Sequence, residues 1–238
     1  MKPGLKVCWI SAGVSSFIAA YLAESVDKFI YIDVKDQHED SLRFISDCEK
    51  ILDKKIQVLG SEYLTVNNVI KTFRFISSPY GAKCTEVLKK RVRKQWEYEH
   101  REYDITYVWG FDYKEKNRAE RTVESMPEFK HEFPLIDKML SKSDCHAMCE
   151  ELGVKRPVMY DLGYPNNNCI GCVKGGMGYW NKIRVDFPEV FNERAKVERE
   201  IGHSCINGIF LDELEPDRGN MDLEIFPDCS IMCFLAKQ

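Results

Sequence analysis

Lys6-Val-Cys-Trp-Ile-Ser-Ala-Gly-Val-Ser-Ser16 is the stretch on which the fold turns. Val7 to Ile10 are four consecutive apolar residues, the pattern of a buried strand, and the run stops at a turn of small residues. Ser11 to Ser16 have side chains short enough for backbone N–H groups to close on a phosphate. Phe17 to Ala23 then continue as a helix, whose N-terminus favours negative charge. Strand, anion loop and helix is one reading. An ordinary β-to-α turn is the other, and these residues alone leave both open.

Working outward, Lys28-Phe-Ile-Tyr-Ile-Asp-Val34 follows one helix later as a second strand, so the opening has the form of a βαβ unit in a parallel sheet. Asp33 falls at the carboxyl end of that strand, where open α/β sheets bind ligands; it suits a ribose or a metal, or simply caps the next turn. Residues 36–54 read as a helix with a stripe of Leu42, Ile45, Cys48 and Leu52, and Lys55 to Leu59 as a third strand. Residues 60–83 are irregular, broken by Pro79 and Gly81. Cys84 to Arg101 reads as a helix with Leu88, Val92 and Trp96 on its apolar face. Lys89, Lys90, Arg91, Arg93 and Lys94 lie opposite, as a solvated or anion-binding face. Asp104 to Trp109 is a fourth strand ending at Gly110. In the charged segment that follows, Arg118 and Arg121 are three residues apart, so a helix there puts both on one face to grip an oxyanion. Residues 133–140 form a short strand or extended segment. Ser141 to Leu152 is a helix with Cys145 and Cys149 on its core face, and a last helix spans about 186–201.

The fold class is therefore α/β, a Rossmann-like parallel sheet with helices on both faces, plus an irregular cysteine-bearing C-terminal extension. The expected division is a nucleotide-binding domain at 1–160 and an extension at 161–238 packed on it. With 238 residues the chain can bury a substantial core. No window approaches the ~20 apolar residues of a membrane span, and the N-terminus lacks a secretory pattern, so a cytoplasmic location is expected. A net charge of −4 gives no support to non-specific adhesion to nucleic acid or anionic lipid.

Ten cysteines in a chain of this kind point to metal, catalysis or core packing more than to disulfides. Cys169-Ile-Gly-Cys172 lies in a Gly/Asn-rich loop where two thiolates can hold one metal from a single knuckle, and Cys229 and Cys233 form a second close pair. The two pairs together suit tetrahedral zinc or an iron–sulfur (4Fe-4S) cluster; a redox dithiol is the alternative. Cys84, His203 and Cys205 are further candidates to complete such a site.

These segments carry a family resemblance. The loop Ser11-Ala-Gly-Val-Ser-Ser16 resembles the pyrophosphate-binding PP-loop of the adenine-nucleotide alpha-hydrolase superfamily. Lys83-Cys-Thr-Glu-Val-Leu-Lys89, the Gly110 to Arg121 segment, Phe133-Pro-Leu-Ile136 and the late Asn-Cys-Ile-Gly-Cys together are similar to phosphoadenosine phosphosulfate (PAPS) reductase-like proteins, including those carried by phages. The resemblance implies an adenine nucleotide, ATP or PAPS, held by Ser11, Gly13, Ser15 and Ser16, with Asp33, Lys89 and Gly110 also at the nucleotide. Arg118 and Arg121 neutralise charge, and Cys229 is the nucleophile toward sulfate sulfur. It further implies a thioredoxin-like reductant or, in an ATP-dependent version, adenylylation of a nucleic acid or small molecule. A homo-oligomer and a non-catalytic nucleotide-binding protein with structural zinc are compatible with it. The loop departs from the usual Ser-Gly-Gly-x-Asp-Ser at Ala12 and Val14, and Val14 removes a carboxylate. At the C-terminal end only Cys229 matches the Glu-Cys-Gly-x-His motif of sulfonucleotide reductases in the strict sense.

Overall fold

The structure is a computed structural model that describes residues 2–78 and 81–224. Two compact units emerge: the first holds residues 2–33, 39–59 and 93–167, and the second holds 34–38, 60–92 and the described residues from Asn168 on.

The first unit carries a five-stranded parallel sheet flanked by helices. Its strands are β1 (Gly4–Ile10), β2 (Lys28–Asp33), β3 (Ile56–Gly60), β4 (Asp104–Val108) and β5 (Lys130–Glu132), in the order β3-β2-β1-β4-β5. β1 is central, pairing Val7 with Lys28 on one side and Cys8 with Val108 on the other. Its apolar run has a simple cause: both faces are covered. Cys8 and Ile10 enter a core with Phe17 and Ile18 of helix α1 (Val14–Leu22) and Phe44, Ile45 and Cys48 of helix α2 (Asp40–Leu52). Trp9 points the other way, edge-on to Trp96 with ring centroids 5.7 Å apart, a geometry that contributes about 0.5–1.5 kcal/mol beyond burial.

Three expectations need correction here. In α2 the buried stripe runs through Ser41, Phe44, Ile45 and Cys48, while Leu42 is exposed. The segment 133–140 is not extended: the strand is Lys130–Glu132, and Pro134 opens a helical turn, Pro134–Asp137, where its fixed φ suits the first position. The basic run does not form one solvated face, because Lys89 is 6 % and Arg93 4 % exposed. The helix from Lys83 to Glu99 contains a π-helical stretch, Glu86–Lys90, whose wider turn rotates the residues around it. Arg93 is consequently committed to a buried pair with Glu97 at 2.8 Å, and Glu97 also accepts from the Tyr107 hydroxyl. The helix Lys142–Glu151 is as expected, with Cys145 and Cys149 buried and Ser141 closing a capping box with Asp144.

The second unit contains two helices absent from the sequence reading, Val66–Phe73 and Met177–Asp186, besides Pro188–Ile201. The first is capped by Thr65 and by Asp36, whose carboxylate accepts from the Val66 amide at 2.7 Å. The second starts within Gly175-Gly-Met-Gly178, whose composition reads as a turn: Gly178 belongs to the first turn of the helix, and a Cβ there would sit 2.5 Å from the Asn220 backbone, so this glycine marks close packing. Arg194 is fully buried and donates to Asn67 at 2.8 Å; Glu198 accepts the amides of Cys205 and Leu211.

Candidate functional site

Because the strands are parallel, their carboxyl ends share one edge of the sheet. The chain leaves β1 for β2 on one side and later adds β4 on the other, so the loops after β1 and β4 flank the switch point of the sheet, the place where open α/β sheets bind ligands. Ser11 to Gly13 and Gly110 to Phe111 are those loops. Asp33 closes the neighbouring β2, half-buried.

The loop after β1 is built by short contacts. Ala12 takes a left-handed conformation with φ 58° and is fully buried, and Gly13 leads into α1 in extended conformation. The Ser16 hydroxyl turns back, donating to the Gly13 carbonyl at 2.8 Å and accepting from the Ser11 amide at 3.0 Å. Asn167 donates to the Ala12 carbonyl at 2.7 Å and to Ser41 at 3.0 Å. Gly110 is required by distance: a Cβ would lie 2.5 Å from Ser16 Cα and 2.8 Å from Ser16 N. Thus β4 ends directly against the first turn of α1. Val14 places its side chain in the core, so it does not stand in the mouth of the loop. Ser15 and Ser16 are likewise buried. Gly13 supplies no side-chain cap, and the Val14 amide donates instead to the Tyr160 hydroxyl at 3.4 Å.

Arg118 and Arg121 do share one helix, Lys116–Ser125. Arg118 is ion-paired with Glu115, and its guanidinium lies 4.3 Å from the Phe111 ring, beside the end of β4. Arg121 is exposed.

Compared with models of protein families and with curated proteins, the chain matches none.

Four residues of this site escaped the sequence reading: Lys142, Tyr160, Asn166 and Asn167. Lys142 donates to the Asn166 side chain, and its ammonium lies 5.8 Å from the centre of the Tyr160 ring. The His146 ring meets the Tyr160 ring edge-on at 4.7 Å, and burial, with Arg156 and Lys142 nearby, holds its pKa below the ordinary value. The available signal was the Asn166-Asn-Asn168 run, which looked only like loop composition.

In the second unit, Cys169 and Cys172 are buried in a defined turn. The Tyr179 hydroxyl accepts from the Cys172 amide at 2.9 Å and donates to the Cys169 carbonyl at 3.2 Å, and Gly171 has φ 70°. Lys89 is buried in the same unit. Cys229 and Cys233 lie outside the described residues. Among the described residues no three His, Cys, Asp or Glu side chains gather as a metal site; Cys169 and Cys172 are the two of the four expected cysteines that fall within them. Chemically, the first unit offers helix-terminal amides, a rigid glycine-lined floor and a nearby ammonium, a combination suited to an oxyanion.

Proposed function

We propose that this chain is a PAPS reductase-like nucleotide-binding enzyme of sulfur chemistry, seating the phosphates of ATP or of a sulfonucleotide on the Ser11 to Ser16 loop. The observation that supports this is the contact of Gly110 with Ser16, which brings the start of α1, where Gly13 supplies no side-chain cap, to the carboxyl edge of the sheet beside the central strand. In the sulfonucleotide reaction a Cys229 thiolate attacks the sulfate sulfur, the S–O bond to phosphate breaks, and adenosine bisphosphate leaves with the electron pair. A thioredoxin-like dithiol then reduces the thiosulfonate, releasing sulfite and becoming a disulfide. Arg118 would exchange Glu115 for the phosphate. An iron–sulfur cluster or zinc on Cys169 and Cys172 needs ligands from beyond the described residues, and no step is routed through it.

The location proposed is the cytoplasm; no helix of the described residues is long and apolar enough to cross a membrane. Incubation with PAPS and a dithiol, and separately with ATP, tests the reaction. Sulfite from PAPS supports it, and pyrophosphate from ATP assigns the site to adenylylation instead. Nucleotide affinity without either product assigns it to binding alone, and no affinity refutes the site. Arg118→Ala should weaken nucleotide affinity in the same titration, and metal analysis of Cys169→Ser should show loss of any bound zinc or iron.

A further inference from the structure

We infer that Tyr160 and Lys142 face the ligand at the Ser11 to Ser16 loop: the phenol oxygen occupies the position of a ligand oxygen, and Lys142 is a second cation, besides Arg118, that neutralises the bound polyphosphate. This rests on the phosphate-seating reading above and names residues that the reading does not contain.

The Tyr160 oxygen accepts from the Val14 amide at 3.4 Å, and it would stand 3.4 Å from a Cβ on Gly13. It therefore lies against both residues that begin α1, where an anion would meet the helix. A hydrogen bond of that length to a neutral phenol is weak, whereas an ionised oxygen makes bonds of about 2.7–2.9 Å that are roughly twice as strong as neutral ones. A phosphate oxygen thus displaces the phenol from the amide.

Lys142 is tied to the same loop through two adjacent asparagines. Its ammonium donates to the Asn166 side chain, and Asn167 donates to the Ala12 carbonyl at 2.7 Å. Asn167 is 5 % exposed, and its own side-chain oxygen is buried without a hydrogen-bond partner, a group that calls for a further partner at this loop. His146, on the same helix as Lys142, packs its ring against Tyr160, and its burial favours the neutral form. The positive charges at this wall are Lys142 and Arg156, and Arg156 is ion-paired with Asp161. The ligand class is a polyphosphate, as of a nucleotide: phosphate at the start of α1 with the ammonium beside it.

The test is calorimetric titration of the full chain with inorganic pyrophosphate and with ATP, at two salt concentrations, using the wild type, Tyr160→Phe, Lys142→Met and Lys142→Arg. Removing the competing phenol should tighten pyrophosphate binding about fivefold, the worth of one weak hydrogen bond. Lys142→Met should weaken it roughly tenfold and flatten the salt dependence, as loss of a charged hydrogen bond requires, while Lys142→Arg retains most of the affinity. Wild-type binding with unchanged or weaker binding in Tyr160→Phe overturns the role of the phenol. Wild-type binding with an unaltered Lys142→Met overturns the role of the cation. If the wild type binds neither probe, the phosphate seat itself is wrong.

Discussion

Replacing Gly110 by alanine inserts one methyl group between two pieces of backbone. Its Cβ would stand 2.5 Å from Ser16 Cα, 2.8 Å from Ser16 N and 3.0 Å from Ser16 Cβ. Carbon atoms rest about 3.5–4.0 Å apart, so β4 and α1 must separate by roughly 1 Å. Neither neighbour is a side chain that can swing aside. Overpacking costs about 1–3 kcal/mol, and the rigidity here places Gly110→Ala near 3 kcal/mol. At about 2–4 °C per kcal/mol for a chain of this length, the melting temperature should fall by roughly 6–12 °C. The same displacement moves the Ser16 hydroxyl off the Gly13 carbonyl, now 2.8 Å away, and should abolish phosphate binding. Thermal denaturation followed by the fluorescence of buried Trp9 and Trp96 measures the first effect, and pyrophosphate titration the second. Gly4→Ala is the control, since its Cβ would have nothing within 4 Å. A Gly110→Ala protein that melts within about 1 °C of the wild type and binds pyrophosphate normally refutes the close approach as the builder of the site.

Asn167→Ala removes the donor to the Ala12 carbonyl and should cost about 1–3 kcal/mol in urea unfolding, as an acceptor left bare in a buried loop does. Ser141→Ala opens the cap of helix Lys142–Glu151 and should cost about 1 kcal/mol in the same measurement. The pKa of His146 is depressed in the fold, chiefly by burial, so its contribution to stability is complete above the ordinary value of 6.5 and declines as pH falls through the lower folded value. In His146→Gln, stability should fall less between neutral and mildly acidic pH than in the wild type; equal slopes would show that the ring is not strained by protonation.

The sheet was legible because its signal is local. Val7 to Ile10 and Phe29 to Ile32 are apolar without interruption, and only strands covered on both faces need that. Cys145 and Cys149 were identified as core by helical spacing alone. Helix Val66–Phe73 was hidden because much of its cap comes from Asp36, 30 residues earlier, and helix Met177–Asp186 because its glycines serve packing. The basic helix misled for a related reason: charge predicts solvent until a partner is known, and the partner of Arg93 is Glu97, one turn further along. At the candidate site, the small residues of the loop were visible in order. The groups around them were not, since Tyr160, Lys142 and Asn167 reach the loop only through tertiary structure.

The bond from Asn167 to Ala12 bears on how relatives of this chain could be recognised. A six-residue run of small side chains is common, and by itself it says little about what surrounds it. Asn167 is different, because at that spot the side chain must present a donor to a main-chain carbonyl and fit beside Ser41. Gly110 is restricted with equal force by the absence of room. A fingerprint that requires Ser11, Gly13 and Ser16 together with a distant glycine and a distant asparagine therefore encodes a three-dimensional constraint, and it would discriminate between chains that the loop pattern alone cannot separate.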